Sequence, residues 1–352
     1  MTENQEPPEE EGSAPQSILR RVFSPPAIIS LALAALFLVF IITRFDVDLG
    51  AMWDRVKNAN PWYLGLAFVV HYTTFFFRGV RWRLLLQNAA APGVSVPGVF
   101  YCSQLVLLGW FANSVAWFRL GDAYRAYLYR DEQGASFSRT IGTILAERML
   151  DAVLVALLLL VSAPFLFRGG REVTWVVLGL AVVLAAVLVS VLLSLTLARE
   201  RALRILPGWL AGGYQRLHEG ALGGLRQIPP VAIWGLLGWL SEVARVYLVA
   251  QAFGLHLGLP LVVFIALANS LLTLVPTPGG FGAVESGVAT LLVRLAGLSY
   301  NVATALVLVD RSITFISIII VGAFLFLGRQ AFRRSVLGNR RPAVLRGGDD
   351  PW

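Results

Sequence analysis

Charged and hydroxyl side chains at helical spacing inside otherwise apolar stretches are where this chain could do chemistry. Thr140, Thr143, Glu147 and Asp151 recur at intervals of three and four, which puts them near one helix face, with Arg148 beside them. Asp310, Thr314 and Ser317 repeat that stripe next to Arg311, and Glu242 and Arg245 lie one turn apart, as do Arg78 and Arg81. A charge at the centre of a membrane-spanning helix costs about 2.5–3.5 kcal/mol on insertion scales, so such groups pair inside a bundle or line a substrate path. Glu147, Arg148, Asp310 and Arg311 are therefore expected to share one central polar site that holds a charged group. Arg78 and Arg81 fall nearer the end of their apolar run, and snorkelling toward the interface is expected of them.

A second kind of site comes from backbone. From Ala268 to Gly287 an apolar run is broken by Pro276, Pro278, Gly279, Gly280 and Gly282, with Glu285 just past the break. Backbone groups freed in this way find no partner in hydrocarbon, so such a break survives only inside protein or against a wet cavity. The prolines cannot donate and the glycines permit positive φ, so the helix that follows can present bare N–H groups toward an anion.

The elements that must position these residues follow from composition. Of 352 residues 57% are hydrophobic and 14% charged, which excludes an ordinary soluble globular chain and points to an all-α polytopic membrane protein. The one cysteine, Cys102, rules out a disulfide framework or a cysteine metal cluster. His71, His218 and His256 share no ligand spacing, and there is no P-loop or Ser/His/Asp arrangement, so no cofactor, metal or nucleic acid is expected. Asp46 and Asp48 have the minimal D-x-D form of some glycosyltransferases but stand without a nucleotide-binding domain. His71 is expected to be a satisfied helix residue.

Residues 1–24 read as an acidic, disordered tail, 25–330 as the transmembrane domain and 331–352 as a basic tail. About six full spans are expected, at 26–42, 61–86, 138–166, 172–198, 230–254 and 301–328. Two interrupted stretches, 97–129 and 258–298, read as broken or re-entrant pairs, and 199–229 reads as a linker on the inner side. Arginines cluster in three connections, which places both termini in the cytoplasm.

The order of motifs repeats. Arg81, Pro97, the A-N-S around Asn113, the R-L-G-D from Arg119 to Asp122 and the E-R-M-L-D from Glu147 are echoed by Arg245, Pro260, the A-N-S around Asn269, the G-G-F-G-A-V-E ending at Glu285 and the D-R-S-I from Asp310. The copies, about 61–166 and 230–328, would enter the membrane in opposite directions. Inverted repeats with broken helices are a transporter architecture whose site lies between the halves.

The R-x-x-R-W-x-x-L-L from Arg78, the R-x-G-D at Arg119 followed by Arg125, the E-R-x-L-D and the P-x-P-G-G-F-G-x-x-E from Pro276 together resemble the lysylphosphatidylglycerol synthase transmembrane region, also called the flippase-like or UPF0104 family. The resemblance covers roughly residues 25–330. It implies an inner-membrane protein whose domain moves an aminoacylated phospholipid or serves lipid-linked sugar pathways. Here Asp122 stands where the family commonly has glutamate, and no aminoacyl-transferring domain is expected, so synthase activity is not implied.

The expected activity is translocation of an anionic, aminoacylated or lipid-linked headgroup between leaflets of the cell membrane. Arg148, Arg311 and the helix start after Gly282 would hold phosphate, and Glu147, Asp151, Glu285 and Asp310 would balance those arginines or bind a cationic headgroup or a coupling proton. A separate synthase or glycosyltransferase and a second copy of the chain are candidate partners. A membrane-embedded lipid or polyprenyl-sugar transferase and a non-catalytic subunit of a synthesis complex are the alternatives.

Overall fold

The computed structural model describes residues 49–90, 95–116, 120–166, 207–275 and 277–338, with the single positions 179, 182, 186 and 204. The expected spans at 26–42 and, but for three positions, 172–198 lie outside the described residues. So do Arg119, Pro276, the acidic tail and the chain beyond 338. All regular structure among the described residues is helical.

Helix α1 is Leu49–Lys57 and α2 is Pro61–Ala89. Asn60 starts α2 by accepting from Trp62 N at 3.0 Å, with Pro61 set where its missing N–H loses nothing. The first interrupted stretch forms α3, Val99–Val115, and α4, Gly121–Gln133. Helix α5 is Phe137–Leu166. The second interrupted stretch forms α8, Leu259–Leu272, and α9, Ala283–Ala296, separated by a 3-10 turn at Pro278–Gly280. Between these two groups come α6, Gly208–Gly224, and α7, Ile228–Ala252. Helix α10, Tyr300–Arg311, passes through a π-helical turn, Ser312–Ile316, into α11, Ser317–Gly338.

Two helical stretches are long and apolar enough to cross a bilayer by length and composition alone: Leu210–Ala252 and Tyr300–Ala331. Helices α2 and α5, at 29 and 30 residues, are also long, but carry their charges at Arg78, Arg81 and Arg83 and from Arg139 to Asp151.

The linker expected at 199–229 is instead, from residue 208, a packed helix. A Cβ at Gly142 of α5 would collide with the backbone of Leu217 and Ala221, and one at Gly220 with that of Arg139. The glycines let the α5 and α6 backbones touch, so a glycine content suggesting a loop in fact serves a close helix crossing.

Two large apolar clusters result, with a small third of Val155, Leu159, Trp239 and Leu267. Phe75, Trp82, Leu85, Leu105, Leu108, Tyr129, Leu150 and Ile318 join α2, α3, α4 and α5 to α11. Val246, Val249, Val262, Ile265, Val288, Leu292 and Leu306 join α7, α8, α9 and α10. Helices α2 and α7 pack antiparallel between them: Arg81 lies against Gly235, Arg78 against Gly238, and at the far end Asn60 N donates to Ala252 O at 2.8 Å.

Charged and polar groups share this interior with apolar ones. The buried face of α2 carries His71, Thr74, Arg78 and Arg81 beside Phe75, Trp82 and Leu85, while Phe68, Val69 and Phe76 are exposed. Val161, Ile233, Leu240 and Phe324 are likewise exposed. Outward apolar faces around a charged interior suit hydrocarbon as the solvent.

Candidate functional site

Two arginines of α2 and two carboxylates of α5 form the centre of the first charged network. The four-residue step from Glu147 to Asp151 puts both acids toward α2, and the three-residue step from Arg78 to Arg81 answers it. Arg81 donates to Glu147 Oε1 at 2.7 Å, to Asp151 Oδ1 at 2.6 Å and to Asp151 Oδ2 at 3.2 Å. Arg125 of α4 donates to the other Glu147 oxygen at 2.7 Å and lies over the Trp82 ring at 4.5 Å. Arg148 grips Asp122 through two bonds of 3.1 Å and reaches Asp151 at 3.3 Å. Trp239 of α7 donates its indole N–H to Asp151 at 3.1 Å. Arg81 and Glu147 are about 1% exposed, whereas the Arg148 and Asp122 side chains are 39% and 36% exposed, so the network opens at that end.

The second network is smaller. Arg245 of α7 bonds Glu242 Oε2 at 3.1 and 3.3 Å and pairs with Asp310 of α10. One residue on, Arg311 points elsewhere. It donates to Glu285 Oε1 at 2.7 Å and to the Gly279 carbonyl at 2.9 Å. Glu285 turns its other oxygen back to Gly282 N at 2.5 Å, which caps α9. Gly279, Gly280 and Gly282 all have positive φ, at 59°, 71° and 88°, so the break needs glycine at each position.

The single central site expected of Glu147, Arg148, Asp310 and Arg311 is thus resolved into separate pairings. Among the described residues no hydrogen bond or ion pair joins Glu147 or Arg148 to Asp310 or Arg311. The reason is register: Arg81 and Arg245, on neighbouring helices, each take the acids of their own half.

The remaining candidates play backbone roles. Asn113 Oδ1 accepts from Gly121 N at 2.7 Å and clips the first break together. The Asn269 carbonyl accepts from Thr273 at the end of α8, and Pro278 opens the 3-10 turn.

Two expectations are corrected. Arg78 and Arg81 do not snorkel; they are 6% and 1% exposed, because Gly235 and Gly238 clear space for them against α7. His71 is not a satisfied residue, since neither ring nitrogen has a hydrogen-bond partner and its neighbours are the Tyr72, Phe75 and Trp110 rings. Sequence reasoning also passed over Trp110 and Trp239, which flank Arg78 at 5.1 and 5.7 Å. The glycine pair three apart on α7 was the available signal. No group of three or more His, Cys, Asp or Glu side chains among the described residues is arranged to hold a metal.

A bundle with charges inside and apolar side chains outside is the build of a helical membrane protein. The chain belongs to the lysylphosphatidylglycerol synthase TM region family, whose pattern matches residues 27–322. It is 29% identical over 225 residues to a UPF0104 membrane protein of Methanocaldococcus jannaschii, covering 61% of this chain and 93% of that one. A UPF0104 membrane protein of Methanothermobacter thermautotrophicus is 26% identical over 314 residues, 81% of this chain and 88% of the relative. One from Pyrococcus horikoshii is 19% identical over 301 residues, 77% and 88% of the two chains.

Proposed function

We propose that the protein translocates a phospholipid or lipid-linked headgroup between leaflets of the cell membrane without itself catalysing a bond change. The observation that carries this reading is the recurrence of one ion-pair pattern. Arg81 with Glu147 and Arg148 with Asp122 correspond, in the order of the sequence motifs, to Arg245 with Asp310 and Arg311 with Glu285. The helices around them correspond as well, since α4 and α9 each follow a break and each end on a left-handed glycine, Gly134 and Gly297. We take these as two inverted halves, α2 to α5 and α7 to α11, within about six spans and two re-entrant pairs. Both termini are placed in the cytoplasm.

In this reading the two breaks act as gates on opposite sides, and the charges held between the halves exchange partners with the headgroup. The acyl chains need no polar path. A cavity of about 470 Å³ between α8 and α9, lined by Leu271, Leu272, Thr290 and Leu291, offers one apolar groove beside the second break. A partner synthase or glycosyltransferase would deliver or consume the lipid, and a second copy of the chain is compatible with the exposed apolar faces.

Glu285→Gln tests the reading. The carboxylate holds both Arg311 and the start of α9, so neutralising it should lower the transport rate at least about tenfold, the loss of one charge-assisted hydrogen bond. The measurement is reconstitution into liposomes with trace fluorescent phosphatidylglycerol and a membrane-impermeant quencher. Lipid movement by the wild type that the variant matches would remove Glu285 from the mechanism. Movement by neither protein, across phosphatidylglycerol and aminoacylated lipid, would turn the assignment toward a transferase or a scaffold subunit.

A further inference from the structure

Arg78 stands apart from the other arginines of the two networks. Arg81, Arg125, Arg148, Arg245 and Arg311 each bond or pair with at least one carboxylate within 3.4 Å. Among the described residues Arg78, 6% exposed, has no hydrogen-bond partner, its Nε included, and its nearest ion-pair oxygen is Asp151 Oδ2 at 4.0 Å.

Asp151 cannot come closer to Arg78 without giving up bonds. It already accepts from Arg81 Nη1, Arg81 Nη2, Arg148 Nη1 and Trp239 Nε1, which fills the roughly four lone-pair sites of a carboxylate. Over the two networks six arginines face six acids, and Arg78 is the arginine left without a hydrogen-bonded acid of its own. A buried cation lacking a hydrogen-bonded counter-charge is costly, and the faces of Trp110 and Trp239 compensate only in part.

The surroundings extend the pattern. The antiparallel register that sets Arg81 on Gly235 and Arg78 on Gly238 sets Thr74 opposite Glu242 and His71 opposite Arg245. Along this seam Thr74 Oγ1, Glu242 Oε1 and both His71 nitrogens are buried without partners. Donors therefore stand at Arg78 and Thr74, and an acceptor oxygen stands on Glu242 beside them. A free multiply charged anion would be repelled by Glu242. A singly charged phosphodiester that carries an O–H or N–H on its substituent satisfies both ends.

We propose that Arg78, held between Trp110 and Trp239, is an anion subsite that takes the phosphodiester of a lipid headgroup, with Glu242 accepting from the headgroup's own donor. This deepens the translocator reading and rests on it for the source of the phosphate. The lipid enters when α2 and α7 part, and its phosphate then accepts the hydrogen bonds that no acid of the described residues takes from Arg78.

The test is a thermal-shift titration of the full chain, purified in maltoside detergent, with dioctanoyl phosphatidylglycerol, dioctanoylglycerol and inorganic phosphate as separate probes. The phosphodiester should raise the wild-type melting temperature with saturation. Arg78→Gln should bind it at least about tenfold more weakly, and Arg78→Lys should recover part of the loss. Without lipid, Arg78→Gln should melt no lower than wild type, because no hydrogen bond is removed, whereas Arg81→Gln should melt well below it.

Equal affinity in Arg78→Gln, an equal response to dioctanoylglycerol, or unfolding of Arg78→Gln like that of Arg81→Gln would each overturn the subsite. An Arg78-dependent response to inorganic phosphate alone would overturn the lipid source. Transport in liposomes separates this from the broader reading. A wild type that binds but moves no lipid removes translocation and leaves the subsite; one that moves lipid regardless of Arg78 does the reverse.

Discussion

At the scale of residues, the networks differ in how much each arginine should matter to stability. Arg81 is enclosed and bonded to two acids, so Arg81→Gln removes the cation that Glu147 and Asp151 share and should cost about 3–5 kcal/mol. Arg148 is 39% exposed on the side of Asp122, and Arg148→Gln should cost no more than about 1 kcal/mol. Thermal or denaturant melting in detergent checks both, and a similar loss in the two variants would mean that exposure is a poor guide here. Much of this was legible in the sequence. The spacing of Glu147 and Asp151 and the position of Glu285 after its glycines marked groups that do converge with arginines. What stayed hidden was the partner of each, because Arg81 and Glu147 are 66 positions apart and only the fold sets the register. Arg78 and Arg81 were misjudged for the same reason: the glycines that let them stay inside lie on α7.

Elements were legible where apolar runs were long and obscure where glycine had two readings. The breaks after α3 and α8 both occur, the second at Gly279, Gly280 and Gly282, whereas Gly121 lies inside α4, where it admits the Gly109 backbone. Glycines at 212, 213, 220, 223 and 224 suggested a linker, yet they belong to α6 and its end. Composition cannot tell a flexible glycine from one that admits a neighbouring backbone. The contact of Gly220 with Arg139 makes a direct prediction. Gly220→Val should force α5 and α6 apart and destabilise by about 1–3 kcal/mol, while Gly208→Val, with open space at its Cβ, should be near neutral. Comparison of the two melting temperatures checks the crossing. The π-helical turn at Ser312–Ile316 has a related role, since it follows the point where Asp310 and Arg311 diverge to Arg245 and Glu285.

For the whole molecule, α11 is tied to α3 and α4 by a polar latch. Arg329 of α11 pairs with Glu132 of α4, donates to Gln104 of α3 at 2.8 Å and lies over Tyr101, whose hydroxyl donates to Glu132 at 2.7 Å. Cys102, fully buried on α3 beside Tyr101, is a native reporter of this closure. Glu132→Gln should loosen the latch and speed maleimide labelling of Cys102 in membranes; an unreactive thiol in the variant would show that the end is held by apolar packing alone. The same buried charges also bear on biosynthesis. In the proposed topology α2 leaves the ribosome with Arg78 and Arg81 on its inner face well before α5 brings Glu147 and Asp151. At about 2.5–3.5 kcal/mol for each charge near a helix centre, α2 is a poor candidate for release into lipid alone. Integration should therefore wait at the insertion channel until α5 arrives. In a chain truncated after Ala89, α2 would remain crosslinkable to the channel, and in one extended past Leu166 it would not.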